Sequence, residues 1–273
     1  MTLEAVHARG LALLGCGKMG SAMLEGWLAA GLPPSKVSVI DPYPSTRLEE
    51  LASAGLHLNK DLHQNPAVCL LAVKPQMMAE ALPQVNDVAG PETLFLSIAA
   101  GTSIAWFESA LSNRRPIIRA MPNTPAAVGK GITALVGNVA ASEEHMALAE
   151  ELLSAIGQTL RLDTEAQMDV VTGVSGSGPA YVFHLIEALA AAGVAEGLPE
   201  DIAMTLAKAT VAGAGALAET ATETPEQLRI NVTSPNGTTQ AGLEVLMDDQ
   251  AGLKPLIRNT VAAAAARSRE LAG

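Results

Sequence analysis

The chain has 273 residues, 49% of them hydrophobic but only 3% aromatic, and a formal net charge of −11. That length suits two domains, and a core so short of aromatics must be built from Ala, Leu, Val, Ile and Met, as in close-packed helices and parallel strands. Its 17 basic residues form no stripe for a nucleic-acid backbone, and no uncharged apolar run reaches the roughly 18 residues of a bilayer span.

Two cysteines without thiol-rich or metal-like spacing, Cys16 and Cys69, fit a reduced, cytoplasmic protein. Glu4, His7 and Arg9 precede only four apolar residues, which fits no secretory signal. Leu11-Ala-Leu-Leu14 then reads as a buried strand, Gly15-x-Gly17-x-x-Gly20 as a tight turn, and Ser21 to Ala30 as an apolar-faced helix ending at Gly31. Strand, glycine turn and helix in this order suit a dinucleotide pyrophosphate, because the glycines let backbone N–H groups approach it and the helix N-terminus is partly positive.

Val37 to Ile40 is the second strand and ends at Asp41-Pro-Tyr-Pro44. An acidic residue about 20 positions beyond the last glycine holds a ribose 2′-hydroxyl, so Asp41 argues for NADH. Arg47 would suit the 2′-phosphate of NADPH if its loop folded inward, and Asp41 also reads as a residue opening an Asx-turn.

Arg47 to Ala54 is expected to be helical, and Ala67 to Val73 a strand followed by Lys74-Pro75. Leu94 to Ile98 repeats that arrangement, ending at Ala99-Ala100-Gly101-Thr102 before a helix through Trp106 to Leu111. Pro116 to Met121 and Gly131 to Val136 are further strands. Ser142 caps a helix with Glu143 and Glu144 in its first turn, running to about Ile156, and Gln158 to Leu162 closes the sheet. The alternation implies an α/β, Rossmann-type, mostly parallel doubly wound sheet over residues 1–162, with ligand at the carboxyl ends of its strands.

From Asp163 the pattern turns helical, giving an all-α C-terminal domain over 163–273. Ala180 to Ala195 is one apolar helix. Pro199 opens another in its first turn, Thr224-Pro-Glu-Gln227 fits a capping box, Thr238 or Thr239 begins a helix to Met247, and Lys254 to Leu271 is the last. So apolar a set, too small for a deep core of its own, is expected to pack on a second subunit.

Three segments carry more turn and hydroxyl residues than a connection needs: Met121 to Ala126, Val174 to Tyr181 and Val232 to Thr239. The last two read as loops ending in helix starts, whose free N–H groups suit a carboxylate. Gly173-x-Ser175-x-Ser177 lacks the final glycine of a nucleophile elbow. The five histidines make no metal-binding pair, and His184, in an apolar helix, reads as a core or interface residue rather than a proton donor.

Dehydrogenases of β-hydroxyacids share this two-domain plan and, by resemblance, carry a catalytic lysine in Gly-x-Gly-x-x-x-Lys. Here Val182 stands after Gly176-Ser-Gly178-Pro-Ala-Tyr181. Oxidising a hydroxyl needs a base, whereas reducing a protonated imine does not.

The chain from Leu11 to about Leu271 resembles the pyrroline-5-carboxylate reductases. Five segments carry the likeness: Ala72-Val-Lys-Pro75, Ser97-Ile-Ala-Ala-Gly101, Arg119-Ala-Met-Pro-Asn-Thr-Pro-Ala126, Ser175-Gly-Ser-Gly-Pro-Ala-Tyr181 and Val232-Thr-Ser-Pro-Asn-Gly-Thr-Thr239. The resemblance implies reduction of 1-pyrroline-5-carboxylate to L-proline by NADH or NADPH in a homodimer or higher homo-oligomer. It would place the dinucleotide on Gly15, Gly17, Lys18, Met19, Gly20, Asp41, Ala72, Val73, Lys74, Pro75, Ala99, Ala100 and Asn123. Asn231 would reach the cofactor from the neighbouring subunit. The substrate would lie on Ser175, Gly176, Ser177, Gly178, Ser234, Asn236, Gly237 and Thr238, with the catalytic Thr239 hydroxyl at the imine nitrogen.

Asn236 replaces the family's usual glycine, Ile230 an often acidic residue and Thr224 an often histidine one, and Asp41 departs from the serine or threonine plus arginine seen where NADPH is preferred. A reductase of another cyclic imino acid and a non-catalytic nucleotide sensor are the alternatives.

Overall fold

Short apolar runs such as Leu11–Leu14, Val68–Leu71 and Leu94–Ser97 become the central strands of one sheet. The computed structural model describes residues 3–111 and 114–271. In order these form α1 (Glu4–Arg9), β1 (Leu11–Leu14), α2 (Lys18–Ala29), β2 (Val37–Ile40), α3 (Thr46–Ser53), β3 (His57–Leu58), β4 (Val68–Leu71), α4 (Pro75–Ala81) and α5 (Pro83–Asn86). There follow β5 (Leu94–Ser97), α6 (Ile104–Ala110), β6 (Ile117–Met121), β7 (Gly131–Gly137), α7 (Glu143–Ser154) and β8 (Gly157–Arg161). The rest is helical: α8 (Gln167–Val171), α9 (Gly178–Ala195), α10 (Glu200–Thr220), α11 (Pro225–Asn231), α12 (Thr238–Leu246) and α13 (Leu253–Leu271).

Strand order is β3-β2-β1-β4-β5-β6-β7-β8. Neighbours from β3 to β6 are parallel, β7 runs antiparallel to β6, and β8 is parallel to β7. The reversal at β7 follows from chain length: residues 122–130 are fewer than the dozen or so that a parallel crossover needs.

Alternate residues of each central strand feed opposite faces. Leu11, Leu13, Val68, Leu70, Leu94 and Leu96 enter one apolar cluster with α2 and α7. Ala12, Leu14, Cys69, Leu71 and Phe95 enter the other with α4 and α6. Trp27 is fully buried, and its indole Nε1 donates to the Leu152 carbonyl at 2.8 Å, fixing α2 beside α7.

The chain divides into two compact units, one running to Gly176 and resuming at Ala265, the other spanning Ser177–Ala264. Within the second, α10 packs along α9 around Ala190, Ala203 and Ala207. Alanine and Gly193 permit that approach, for a Cβ on Gly193 would sit 3.3 Å from that of Ala203. The same closeness leaves large side chains unburied, including Phe183 (58% exposed), Leu206 (52%) and Leu217 (53%).

Several local expectations are corrected. Pro199 is the N-cap of α10 rather than its first helical residue. Thr224 accepts the Gln227 N–H, but the Gln227 side chain turns to Asn231, so only half of the capping box forms. His184 is not a core residue: it is exposed and pairs with Glu187 one turn on.

Candidate active site

Strands β2, β1, β4, β5 and β6 are parallel neighbours, so their carboxyl ends lie along one edge of the sheet. From β1 the chain steps outward through β2 and β3 and then returns to β4. Ligands of open α/β sheets bind at such a switch point. Gly15 to Gly20, Asp41, Ala72 to Pro75, Ala99-Ala100 and Asn123 all follow these strand ends, and the fold brings them together.

Three glycines shape the turn in three ways. Gly15 has φ +86°, and a Cβ there would lie 2.7 Å from Val73 Cγ1, so the turn needs both the left-handed backbone and the missing side chain. A Cβ on Gly20 would meet the Gly15 carbonyl at 2.7 Å, so this glycine lets α2 start close against the turn. Gly17, the N-cap of α2, has nothing within 4 Å of its Cβ position, and the space before the helix N-terminus stays open. A pyrophosphate needs that combination of tight turn, free approach and N-terminal N–H groups. Lys18 is exposed in the first turn of α2, with Met19 half-buried behind it.

The Asp41 carboxylate is fixed from both sides. Its Oδ1 accepts the Tyr43 N–H at 2.9 Å, which is the Asx-turn bond, and its Oδ2 accepts the Cys16 N–H of the glycine turn at 2.8 Å. The Asn59 side chain pins the Asp41 backbone, accepting from its N–H and donating to its carbonyl, both at 2.8 Å. Burial raises the Cys16 thiol above its ordinary range, partly opposed by its contact with Ser21.

Beyond β4, Ala72 and Val73 are half-buried, Lys74 is the exposed N-cap of α4, and Pro75 begins that helix, where its missing N–H costs nothing. Ala99 is buried with its N–H on Ser97 Oγ, and Ala100 is exposed. Asn123 Oδ1 accepts the Ile132 N–H at 3.0 Å, while Nδ2 donates to Ser175 Oγ at 3.3 Å and to the Ser175 carbonyl at 3.4 Å. Asn123, two residues beyond β6, thereby holds the start of the Ser175–Tyr181 segment.

That segment is not a loop. Thr172–Gly176 is a π-helical turn between α8 and α9, so residues 167–195 run as one helical stretch. Gly-Ser-Gly-Pro has poor helix propensity and reads as an interruption; the wider turn absorbs the break in the hydrogen-bond ladder ahead of Pro179. Ser175 and Gly176 close the first unit, and Ser177 and Gly178 open the second. By length and composition this stretch could cross a membrane, and almost none of it is buried within the chain.

In the second unit, Ser234, Asn236 and Gly237 join α11 to α12. Asn236 adopts φ +58°, a conformation asparagine tolerates, and its N–H is held by Gln240 Oε1 at 2.8 Å. Gly237 caps α12, and Thr238 and Thr239 form its exposed first turn, where N–H groups have no intrahelical acceptor. Asn231, exposed at the end of α11, accepts from Gln227 Nε2.

Arg119, the first residue of the Arg119–Ala126 segment, is a buried charge close to these residues in the sequence. Its guanidinium is buried in β6, with Nη1 2.8 Å from Glu165 Oε1 and Nη2 buried without a partner among the described residues. An arginine within Ile117-Ile-Arg-Ala-Met121 was the available signal, since a buried charge needs a partner.

Two sequence families match separate parts of the chain. Residues 165–271 match the sequence model described as pyrroline-5-carboxylate reductase dimerisation, and residues 10–101 that of NADP oxidoreductase, coenzyme F420-dependent. A pyrroline-5-carboxylate reductase of Pseudomonas aeruginosa is 38% identical over 96% of both chains. This chain belongs to the pyrroline-5-carboxylate reductase family. Another reductase, from Pisum sativum, is 39% identical over 96% of this chain and 95% of its own. Among solved structures, the Coxiella burnetii pyrroline-5-carboxylate reductase superposes with a TM-score of 0.89 at 32% identity, covering 96% of this chain and 98% of that one. The Plasmodium falciparum pyrroline carboxylate reductase, solved with NADP bound, gives 0.79 at 26% identity, covering 97% and 98%.

Proposed function

We propose that the chain is an NAD(P)H-dependent oxidoreductase acting on the C=N bond of 1-pyrroline-5-carboxylate to give L-proline. The observation that carries this reading is the match to curated reductases of that name along 96% of the chain. The glycine turn fits the implied dinucleotide, because Gly17 leaves open the space that a side chain would fill.

Residues 1–162 form the cofactor half in this reading. The N–H groups of the glycine turn and of the first turn of α2 bind the pyrophosphate, and Asp41 takes the adenosine ribose. Lys74, Pro75, Ala99 and Ala100 line the path towards the nicotinamide. The reduced nicotinamide supplies the hydride that C5 accepts. Residues 163–273 carry the substrate residues in this reading: Ser175 to Gly178 and the start of α12 each offer N–H groups suited to a carboxylate, and Thr239 is the hydroxyl assigned to the imine nitrogen. No side-chain base is required, since the cyclic iminium is already protonated and electrophilic. The protein acts chiefly by orienting the reactants and excluding water.

The exposed apolar residues of α9 and α10 are covered in a homodimer formed through the helical half, within a cytoplasmic enzyme that engages neither nucleic acid nor membrane. Cofactor oxidation with pyrroline-5-carboxylate, compared with six-membered piperideine carboxylates, tests the substrate. Faster turnover of the piperideines would transfer the chain to another cyclic imine. Tight dinucleotide binding without oxidation of either would support a sensor.

A further inference from the structure

After β2 the chain carries one anion and one cation, and each is engaged by its neighbours. Asp41 cannot swing aside, because both carboxylate oxygens accept backbone N–H groups and Asn59 clamps its own backbone. Arg47, in the first turn of α3, is the cation six residues further on. Its guanidinium faces Glu25 on α2 as a two-pronged pair, Nε to Oε1 at 2.7 Å and Nη2 to Oε2 at 3.2 Å, and Nη1 lies 3.4 Å from Glu50. Planar bidentate pairing of this kind defines the direction of the guanidinium.

A 2′-phosphate carries close to two negative charges and would approach where the ribose meets Asp41. It would need a cation there to offset that carboxylate. Resting on the reading of the glycine turn as the dinucleotide site, we propose that Glu25 is a specificity-determining positioning residue. By holding Arg47 against α2 it withdraws the cation a 2′-phosphate would use, and the site is left selective for the dinucleotide with a free 2′-hydroxyl. The pair is about half exposed, with Arg47 55% and Glu25 46% accessible, so the hold is moderate and one substitution can release it.

The test measures NADH and NADPH binding to the full chain by calorimetry, with kcat/KM for each cofactor, in the native protein, Glu25→Ala and the double variant Glu25→Ala/Arg47→Ala. The native chain is expected to favour NADH by about tenfold or more. Glu25→Ala should tighten NADPH binding by about threefold to tenfold and leave NADH within about twofold. Removing Arg47 as well should abolish that gain, which distinguishes a released guanidinium from a general loosening of α2. Equal native affinities, a Glu25→Ala effect shared by both cofactors, or an NADPH gain that survives loss of Arg47 would each overturn the proposal. Binding of neither dinucleotide would remove the cofactor site itself and the proposal with it. Selective binding without turnover of the pyrroline would uphold the proposal and count only against the reaction.

Discussion

Arg119 Nη1 lies 2.8 Å from Glu165 Oε1, and that same oxygen accepts the Ile104 N–H at 2.9 Å. One carboxylate thus neutralises an arginine buried in β6 and receives the first turn of α6. Removing either partner exposes a different debt. Glu165→Ala strands a guanidinium that is 5% exposed and should cost about 2–4 kcal/mol. Arg119→Met leaves a carboxylate that is 29% exposed and still hydrogen-bonded, and should cost about 1 kcal/mol. Urea-denaturation midpoints of the two variants check the order; a greater loss in Arg119→Met would contradict it.

Gly17 and Gly20 should fail differently. Gly17→Val places a side chain in open space, so the fold should persist while dinucleotide affinity falls below detection. Gly20→Val drives a side chain into the Gly15 carbonyl, only 2.7 Å from the Cβ position, and should cost about 2–3 kcal/mol of stability. Thermal unfolding alongside NADH titration separates the two; undiminished NADH binding by Gly17→Val would displace the cofactor from this turn.

His63 gives stability a pH dependence. Its Nδ1 lies 2.6 Å from Ser38 Oγ and its Nε2 3.1 Å from the Ser35 carbonyl, an arrangement that suits a neutral ring accepting at one nitrogen and donating at the other. Burial, reinforced by neighbouring His57, lowers its pKa below the ordinary value of 6.5. A base with a lowered folded pKa takes up protons less readily folded than unfolded. Its stabilising contribution is therefore full above about pH 6.5 and is lost as pH falls towards the folded pKa. Denaturation midpoints should decline between pH 7.5 and 5.5, and the slope should flatten in His63→Asn; an unchanged slope in that variant would clear His63 of the effect.

Thr239 stands on the exposed first turn of α12, so Thr239→Ala should leave stability within about 0.5 kcal/mol. With the Thr239 hydroxyl in its proposed role at the imine nitrogen, its loss should lower kcat/KM for the pyrroline by about tenfold. Steady-state kinetics with native rates would take Thr239 out of the site.

Much of the first half was legible because its punctuation is local. Leu11–Leu14 and Val37–Ile40 are bounded as the sequence predicts: Gly15 turns the chain with φ +86°, and the Asn59 side chain takes up the Asp41 backbone N–H and carbonyl. The two-residue β3 carried no periodicity, and the reversed β7 depended on connection length rather than on any residue. In the candidate site, the glycine turn and Asp41 were legible from spacing. A charge inside the apolar run Ile117–Met121 signals a buried partner for Arg119, but its identity, Glu165, and the pairings Asn123–Ser175 and Glu25–Arg47 are long-range contacts that no local pattern encodes. Gly176-Ser-Gly-Pro179 misled because weak helix formers were read as a loop, when a π turn accommodates them.

Ser268 Oγ donates to Asp169 Oδ1 at 2.7 Å across a sequence separation of 99 residues, and both belong to the first compact unit. The whole of Ser177–Ala264 is therefore an insertion between two pieces of one body. On the ribosome, at about 5–20 residues per second, Asp169 is made roughly 5–20 s before its serine. Through that interval α8 is without its closing contact, and the first compact unit cannot be completed until synthesis has passed Ser177–Ala264. A nascent chain stalled before Ala265 would carry every described strand of the sheet and still lack the end of its first compact unit.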